Sequence, residues 1–232
     1  MKQPWQIEYD RFIDEMKIGL GAISGERYQL TFGVGCCQRM LPSYATFQRN
    51  AQWGNFQFLY NLCQLLWKEC KTISLEVDDV RVILQGINTA SADSESTYKG
   101  KPIEYIEIAQ NVCSVFDQVL KFIVQKDYAF LQLAAETTLW HFKTKTYFRL
   151  RENTKHLVIL DQGLERFESD LLDEKVWNEA TVQEELARQR NDLALLITLS
   201  RNKDENRLCE FITAGAHIRM DSLGQSFDEG DI

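Results

Sequence analysis

Proline and glycine are scarce in this chain, with 3 and 12 among 232 residues. So low a content excludes collagen-like sequences and Pro/Gly-rich linkers. Apolar residues make up 44% and charged residues 26%, which is ordinary for a folded protein. A chain of this length buries roughly 70–75% of its unfolded surface, so it needs neither a metal nor a disulfide to fold. We therefore expect a single domain over residues 1–232.

Long apolar runs are also lacking. No stretch approaches the ~20 consecutive apolar residues that a membrane span needs, and residues 1–5 lack the basic start and apolar run of an export signal. We therefore expect a cytoplasmic protein with reduced cysteines. The cysteines form no Cys-x-x-Cys pair and have no histidine at ligand spacing, so we predict core thiols, no metal site and no cofactor. The six are Cys36, Cys37, Cys63, Cys70, Cys113 and Cys209.

A basic excess is absent too. The formal net charge is −8, and nearly all of the imbalance lies in residues 161–232, which hold 8 Lys/Arg and 17 Asp/Glu. Nucleic-acid binding without sequence preference needs a basic face that displaces phosphate counterions, so we predict no nucleic-acid partner. The basic side chains between Lys143 and Lys155 are interpreted as a solvated helix face.

The apolar residues that are present recur with a helical period almost throughout. The clearest stripe, over residues 56–70, steps by 3, 4, 3 and 4 and follows Asn55, a suitable N-cap. No segment alternates with period two between turn residues. The predicted fold class is all-α, a single-domain bundle of about eight or nine mostly antiparallel helices. Nine of the predicted helices cover residues 5–20, 26–40, 56–70, 75–87, 102–123, 128–148, 157–172, 181–199 and 205–214, and a short additional one covers residues 42–53.

Two local signals define helix starts within this scheme. Pro42 suits the first turn of a new helix because its missing N–H would be unpaired there, so we predict a helix–turn–helix corner. Thr181 and Glu184 have the spacing of a capping box. The small polar residues 89–97 are interpreted as a surface loop.

Known catalytic motifs are missing: there is no Gly-x-Ser-x-Gly, no phosphate-binding Gly-rich loop and no His-Glu-x-x-His. His141 lies between Trp140 and Phe142 and is interpreted as a structural histidine. Gln110 and Gln189 interrupt apolar stripes, so their carboxamides must either fix helix register or line a pocket.

One segment carries a family resemblance. Residues 32–47 read Phe-Gly-Val-Gly-Cys-Cys-Gln-Arg-Met-Leu-Pro-Ser-Tyr-Ala-Thr-Phe. This segment resembles the pattern Cys-Glu-Arg-Met-x-Pro-Asn-Tyr-x-x-Phe of the domain of unknown function 416 family, the YjaG-like bacterial proteins. Further agreement is found at Gly54, Leu66-Trp67, residues 91–93, Glu185-x-x-x-Gln189 and Leu195-Leu196.

The resemblance covers about residues 28–225 and implies an all-helical bacterial cytoplasmic protein, with no activity attached. It would make residues 1–25 an N-terminal extension helix and residues 226–232 a frayed acidic tail. This sequence has Gln38 and Ser43 where the pattern has Glu and Asn, and its segment from Trp140 to Thr181 is longer.

Residues for binding are predicted around the Pro42 corner and at the two glutamines, and no catalytic residue is predicted. Arg39 has a five-donor guanidinium, and aromatic and Arg side chains dominate interface hot spots. The predicted binding residues are Arg39, Tyr44, Trp53, Gln110 and Gln189.

Three functions remain open at this stage. The first is a non-catalytic binding or interaction protein. Its partner would be either another protein or a second copy of the same chain, and the second copy would make it a homo-oligomer. The second is an immunity-type or regulatory protein whose acidic C-terminal third docks a basic partner. The third is an enzyme with a pocket near Arg39, Gln110 and Gln189.

Overall fold

The structure is a computed structural model that describes residues 2–91, 103–154 and 165–216. Over these residues it contains nine α-helices and no strand, so the predicted all-α class is confirmed. The helices are α1 (Pro4–Ala22), α2 (Glu26–Ala51), α3 (Phe56–Thr72), α4 (Val77–Ala90), α5 (Ile103–Gln125), α6 (Ala129–Thr154), α7 (Glu165–Asn178), α8 (Ala180–Asn202) and α9 (Glu205–Ala216).

Helix α2 lies at the centre of the bundle. It packs against α3, α5, α6, α8 and α9, and the seven consecutive residues from Thr31 to Cys37 are all buried. A helix that is buried on every side has no polar face to present to water. Gly33 allows the neighbouring helices to approach closely, because a Cβ there would lie 2.6 Å from Leu131 and 3.0 Å from Val119.

The predicted break at Pro42 is wrong, because α2 continues through it to Ala51. An interior proline loses one helical hydrogen bond and costs about 3 kcal/mol relative to alanine. Leu41, Tyr44 and Phe47 are buried around it. Burial of such side chains contributes roughly 1.5–3 kcal/mol each, which outweighs the cost of the proline. The predicted helix–turn–helix corner is therefore the interior of one long helix.

The predicted caps of α3 and α8 differ in outcome. Asn55 caps α3 as predicted, its Oδ1 accepting a hydrogen bond from the Phe58 N–H at 3.0 Å. The capping box at Thr181 is wrong, because α8 begins one residue earlier with Glu179 as N-cap. The Glu179 carbonyl accepts from the Val182 and Gln183 N–H groups, and burial of Val182 fixes the helix in this register.

Several predicted boundaries shift by a few residues. Thr89 and Ala90 belong to α4 rather than to the predicted loop, and α6 extends to Thr154. The predicted helix over residues 157–172 agrees with α7 from Glu165 to Leu172, and α7 continues to Asn178. Residues 157–164 lie outside the described residues, as do residues 92–97 of the predicted loop and the tail 226–232. In the part of the chain that the structure describes, no helix has both the length and the apolar content to cross a membrane.

The cysteines follow the core prediction with one exception. Five are buried and free, whereas Cys209 is exposed on α9, so its predicted burial is wrong. Cys209 lies one residue after the buried Leu208, on the side of this amphipathic helix that faces solvent. Burial raises the pKa of the Cys36 thiol to about 11 and those of Cys70 and Cys113 to about 12. These buried thiols are therefore neutral at pH 7.

Candidate functional site: the Arg39 cleft

A row of polar side chains on α8 faces the core. Glu185, Gln189 and Asp192 stand at positions i, i+4 and i+7, which places them on one side of the helix. Glu185 is 2% exposed and Gln189 is fully buried. Buried polar groups need partners, and helix α2 supplies them.

Arg39 of α2 joins two members of this row. Its Nε donates to Glu185 Oε1 at 2.9 Å, and its Nη1 donates to Asp192 Oδ2 at 2.6 Å. Its Nη2 lies 3.2 Å from the Sγ of Cys36, one helical turn earlier. The Arg39 side chain is 10% exposed, so these are ion pairs largely removed from water. Arg39 thus ties α2 to α8.

Gln189 extends the network to a third helix. Its Nε2 donates to Glu185 Oε1 at 2.9 Å and to the Ala135 carbonyl of α6 at 3.2 Å. Among the described residues, neither Gln189 Oε1 nor Glu185 Oε2 has a hydrogen-bond partner, although Arg188 Nη1 lies 3.9 Å from the latter. Burial raises the pKa of the Glu185 carboxyl, and the Arg39 guanidinium opposes that shift.

Ser43 and His141 form a second buried polar pair beneath α2. The His141 Nε2 and Ser43 Oγ are 2.9 Å apart. Burial, assisted by Lys145, lowers the pKa of His141 to about 3, so the imidazole is neutral at pH 7. Ser43 is 6% exposed and His141 is fully buried. The pair connects α2 to α6, which agrees with the interpretation of His141 as a structural residue.

A cleft of about 440 Å³ opens above Arg39, between α2, α3, α8 and α9. Its apolar side is formed by Pro42, Trp67 and Phe211, and Arg188 and Asp192 lie on its polar side. Such a volume is within the ~300–1,000 Å³ range of ligand pockets. The remaining lining residues are Gly35, Gln38, Arg39, Ala214 and Gly215. We call this site the Arg39 cleft.

Two glycines shape the cleft by close approach. A Cβ at Gly35 would lie 3.3 Å from Arg39 Nη1 and 3.8 Å from Asp192 Oδ2, so the bare Cα leaves room for the guanidinium. A Cβ at Gly215 would lie 2.5 Å from the indole of Trp67. The Gly215 carbonyl accepts a hydrogen bond of 2.6 Å from Gln38 Nε2, which fixes the end of α9 over α2.

The other predicted binding residues lie elsewhere. The Tyr44 hydroxyl is buried, donates to the Ala90 carbonyl at 2.6 Å and accepts from the Asn55 N–H at 3.2 Å, so it joins α2 to α4 and to the start of α3. Trp53 packs edge-on against Phe47 and lines a surface cleft of about 340 Å³ at the end of α2. Both therefore lie outside the Arg39 cleft.

Gln110 lines a different cavity, between α5, α6 and α7. The structure thus unites Arg39 and Gln189 through Glu185 but does not place Gln110 with them. Sequence reasoning missed Glu185 and Asp192 as members of the site, because acidic residues at helical spacing ordinarily mark a solvated face. The Glu185-x-x-x-Gln189 agreement with the family pattern was the one available signal.

Comparison with solved structures identifies the fold. The chain superposes on the crystal structure of a DUF416 family protein from Shewanella baltica OS155 with a TM-score of 0.60. The match covers 90% of this chain and 92% of that one, at 16% sequence identity. This chain has the DUF416 fold.

The family resemblance stated for about residues 28–225 is therefore confirmed at the level of the fold. No family model and no curated protein matches the sequence. Residues 32–47 of the resembling segment lie on α2 and provide Arg39, Pro42 and Ser43.

Proposed function

We propose that this DUF416-fold protein is a non-catalytic binding protein that recognises a protein partner through the Arg39 cleft. The observation that carries the proposal is the chemistry of the cleft lining. Two guanidinium groups, an indole and a phenyl ring are the groups that dominate protein interface hot spots. The described lining residues include no Ser, Thr, Cys, Lys or His, and the carboxylate of Asp192 is already paired with Arg39. Recognition is thus better supported than covalent catalysis.

The floor of the cleft is organised before any partner arrives. Three side chains hold the Arg39 guanidinium in one orientation, and Gln38 anchors the end of α9 beside it. A rigid floor spares a partner the entropic cost of ordering the site.

Arg188 is the cleft residue best placed to contact a partner. Its side chain is 56% exposed, and its one ion pair with a described residue is a long one of 3.9 Å to Glu185. An acidic side chain of the partner would pair with Arg188 while an adjacent apolar side chain contacts Trp67 and Phe211. The partner is therefore expected to present an apolar residue next to an acidic one.

Charge reversal at matched positions tests this proposal. Arg188→Glu places a like charge at the cleft, and Arg201→Glu makes the same change at an exposed position on the same helix. The affinity for the partner captured by the wild-type protein should fall at least tenfold with Arg188→Glu and stay within twofold with Arg201→Glu. Equal effects of the two changes would contradict the proposal.

A second copy of the chain is the alternative occupant, which would make the protein a homo-oligomer. Sedimentation of the wild type and of Arg188→Glu over a range of concentrations shows whether the cleft binds a second copy of the chain or a different protein. Concentration-dependent association that Arg188→Glu abolishes assigns the cleft to self-association. If Arg188→Glu still associates, the self-association uses a surface other than the Arg39 cleft.

Docking of a basic partner by the acidic C-terminal third is less well supported. The described residues 165–216 contain twelve Asp/Glu and seven Lys/Arg, so basic side chains offset more than half of their negative charge. Several of these acids are also paired already: Glu179 with Arg149, and Glu205 with Arg27.

A further inference from the structure

A second cavity, of about 480 Å³, lies between α5, α6 and α7, away from the Arg39 cleft. Its lining includes the acidic residues Glu107 and Asp173 together with Gln110, Tyr147 and Lys143. This volume suits a small molecule.

Lys143 is the unusual member of the lining. It is 5% exposed, contrary to the interpretation of residues 143–155 as a solvated face. Its Nζ lies 4.3 Å from the ring centroid of Trp5, 5.0 Å from that of Trp140 and 5.7 Å from that of Trp177. The ring of Tyr9 completes the cage at 6.0 Å.

No described residue forms a hydrogen bond or an ion pair with the Lys143 amine. A lysine this well buried ordinarily has a carboxylate partner. Asp173 of α7 is near enough to influence its charge but is not within ion-pair distance, and Glu107 of α5 faces the same cavity. The cage therefore fixes the side chain without engaging the nitrogen in a hydrogen bond.

Three effects determine the charge of the amine. Burial lowers the pKa of Lys143, and Asp173 opposes that shift. The aromatic rings attract the ammonium form and so also oppose the shift. With burial the largest effect, Lys143 has a larger neutral fraction at neutral pH than an exposed lysine.

We propose that Lys143 captures a small aromatic aldehyde or ketone by forming an imine in this cavity. The amine lone pair attacks the carbonyl carbon, a C–N bond forms, and the carbonyl electron pair moves to oxygen. One of the two N–H protons is then transferred to that oxygen, which gives the neutral carbinolamine. The remaining N–H proton is transferred to the hydroxyl as this group leaves as water, and the nitrogen electron pair forms the C=N bond. The net reaction converts amine and carbonyl compound into imine and water, so no oxidant or reductant is needed.

The surroundings fit each part of this reaction. Trp140 is 53% exposed and lines the cavity beside Lys143, so its ring offers a stacking surface for an aromatic ligand. Glu107 and Asp173 lie where a carboxyl group can transfer protons during formation and loss of the carbinolamine. Imine formation is reversible, so the site binds its ligand covalently without turnover and is independent of the proposed function of the Arg39 cleft.

Reductive labelling of the folded wild-type protein tests the proposal. The protein is incubated at pH 7 with salicylaldehyde and sodium cyanoborohydride, digested, and the label at each lysine is followed by mass spectrometry. We expect Lys143 to be labelled at least tenfold faster than the exposed Lys68 and Lys175. If Lys143 is labelled no faster than Lys68 and Lys175, the proposal is wrong. The comparison is made entirely within the wild-type protein.

Two variants separate reactivity from folding. Lys143→Arg keeps the charge and the ring contacts but removes the primary amine, so the fast label should disappear while the melting temperature changes little. Lys175→Arg is the matched control on α7 and should leave the fast label in place. Denatured wild-type protein should label Lys143 at the rate of the other lysines, since the enhancement depends on the cage. Fast labelling that survives Lys143→Arg would contradict the assignment.

Discussion

Replacement of Arg39 by alanine is the sharpest test of the buried network. The change removes the nearer of the two arginines that pair with Glu185, whose side chain is 1% exposed, and the arginine that pairs with Asp192, whose side chain is 20% exposed. Breaking a buried ion pair by removing one partner typically costs 3–5 kcal/mol. Because Asp192 regains contact with water and Glu185 does not, the expected loss in free energy of unfolding is about 3–4 kcal/mol.

The loss should depend on pH in a defined direction. Burial already raises the pKa of Glu185, and Arg39 opposes that shift, so Arg39→Ala raises it further. A carboxyl whose folded pKa is raised destabilises the fold as pH rises above its unfolded value, because folding then disfavours the charged form. The penalty of Arg39→Ala should therefore be larger at pH 7.5 than at pH 5, because a larger fraction of Glu185 is charged at the higher pH.

Urea unfolding at both pH values measures these effects, and a double-mutant cycle with Glu185→Gln isolates the pair. The double variant should lose less stability than the two single variants together, with a coupling of about 1–3 kcal/mol. Arg201→Ala, an exposed arginine on α8, should change stability by less than about 0.5 kcal/mol. If Arg39→Ala lowers the free energy of unfolding by less than about 0.5 kcal/mol, Arg39 does not stabilise the fold through a buried ion pair. Strict additivity of the two single variants in the cycle would contradict the pairing of Arg39 with Glu185.

Three further outcomes follow from the packing. A thiol reagent should label Cys209 rapidly in the native protein and the other five cysteines only after denaturation, and Cys209→Ser should abolish the rapid phase. Gly215→Ala should lower the free energy of unfolding by about 1–3 kcal/mol in urea melts, because its Cβ would lie 2.5 Å from Trp67. Pro42→Ala should raise the free energy of unfolding by about 1–3 kcal/mol, since it restores a helical N–H within α2.

The fold class could be predicted from sequence because most helices are amphipathic. The period of apolar residues located α3 and α8 to within a few residues, and Asn55 marked the start of α3. Helix α2 was divided wrongly at Pro42, because the local cost of a proline is visible in the sequence whereas the burial that outweighs it is not. Helix α2 is central and has buried residues on all sides, so its apolar residues do not form a one-sided stripe that marks the whole helix in the sequence.

The site was predictable only in part. Arg39 and Gln189 were singled out, the first from the resembling segment and the second from its place in an apolar stripe. Their connection runs through Glu185, which is 146 residues from Arg39 in the chain, and no local pattern encodes a contact at that separation. The cage of Lys143 likewise depends on rings from α1, α6 and α7, which come together only in the folded chain.

Photo-cross-linking in intact cells tests the central claim, that the Arg39 cleft is a binding site, most directly. Benzoylphenylalanine is placed at Ala214, an exposed position in the cleft lining, and as a control at Ile18, which is 73% exposed on α1. We expect one discrete cross-linked protein from Ala214, which is absent when the probe is at Ile18 and is lost when Arg188→Glu is added. No product from Ala214, or the same product from both positions, would contradict it.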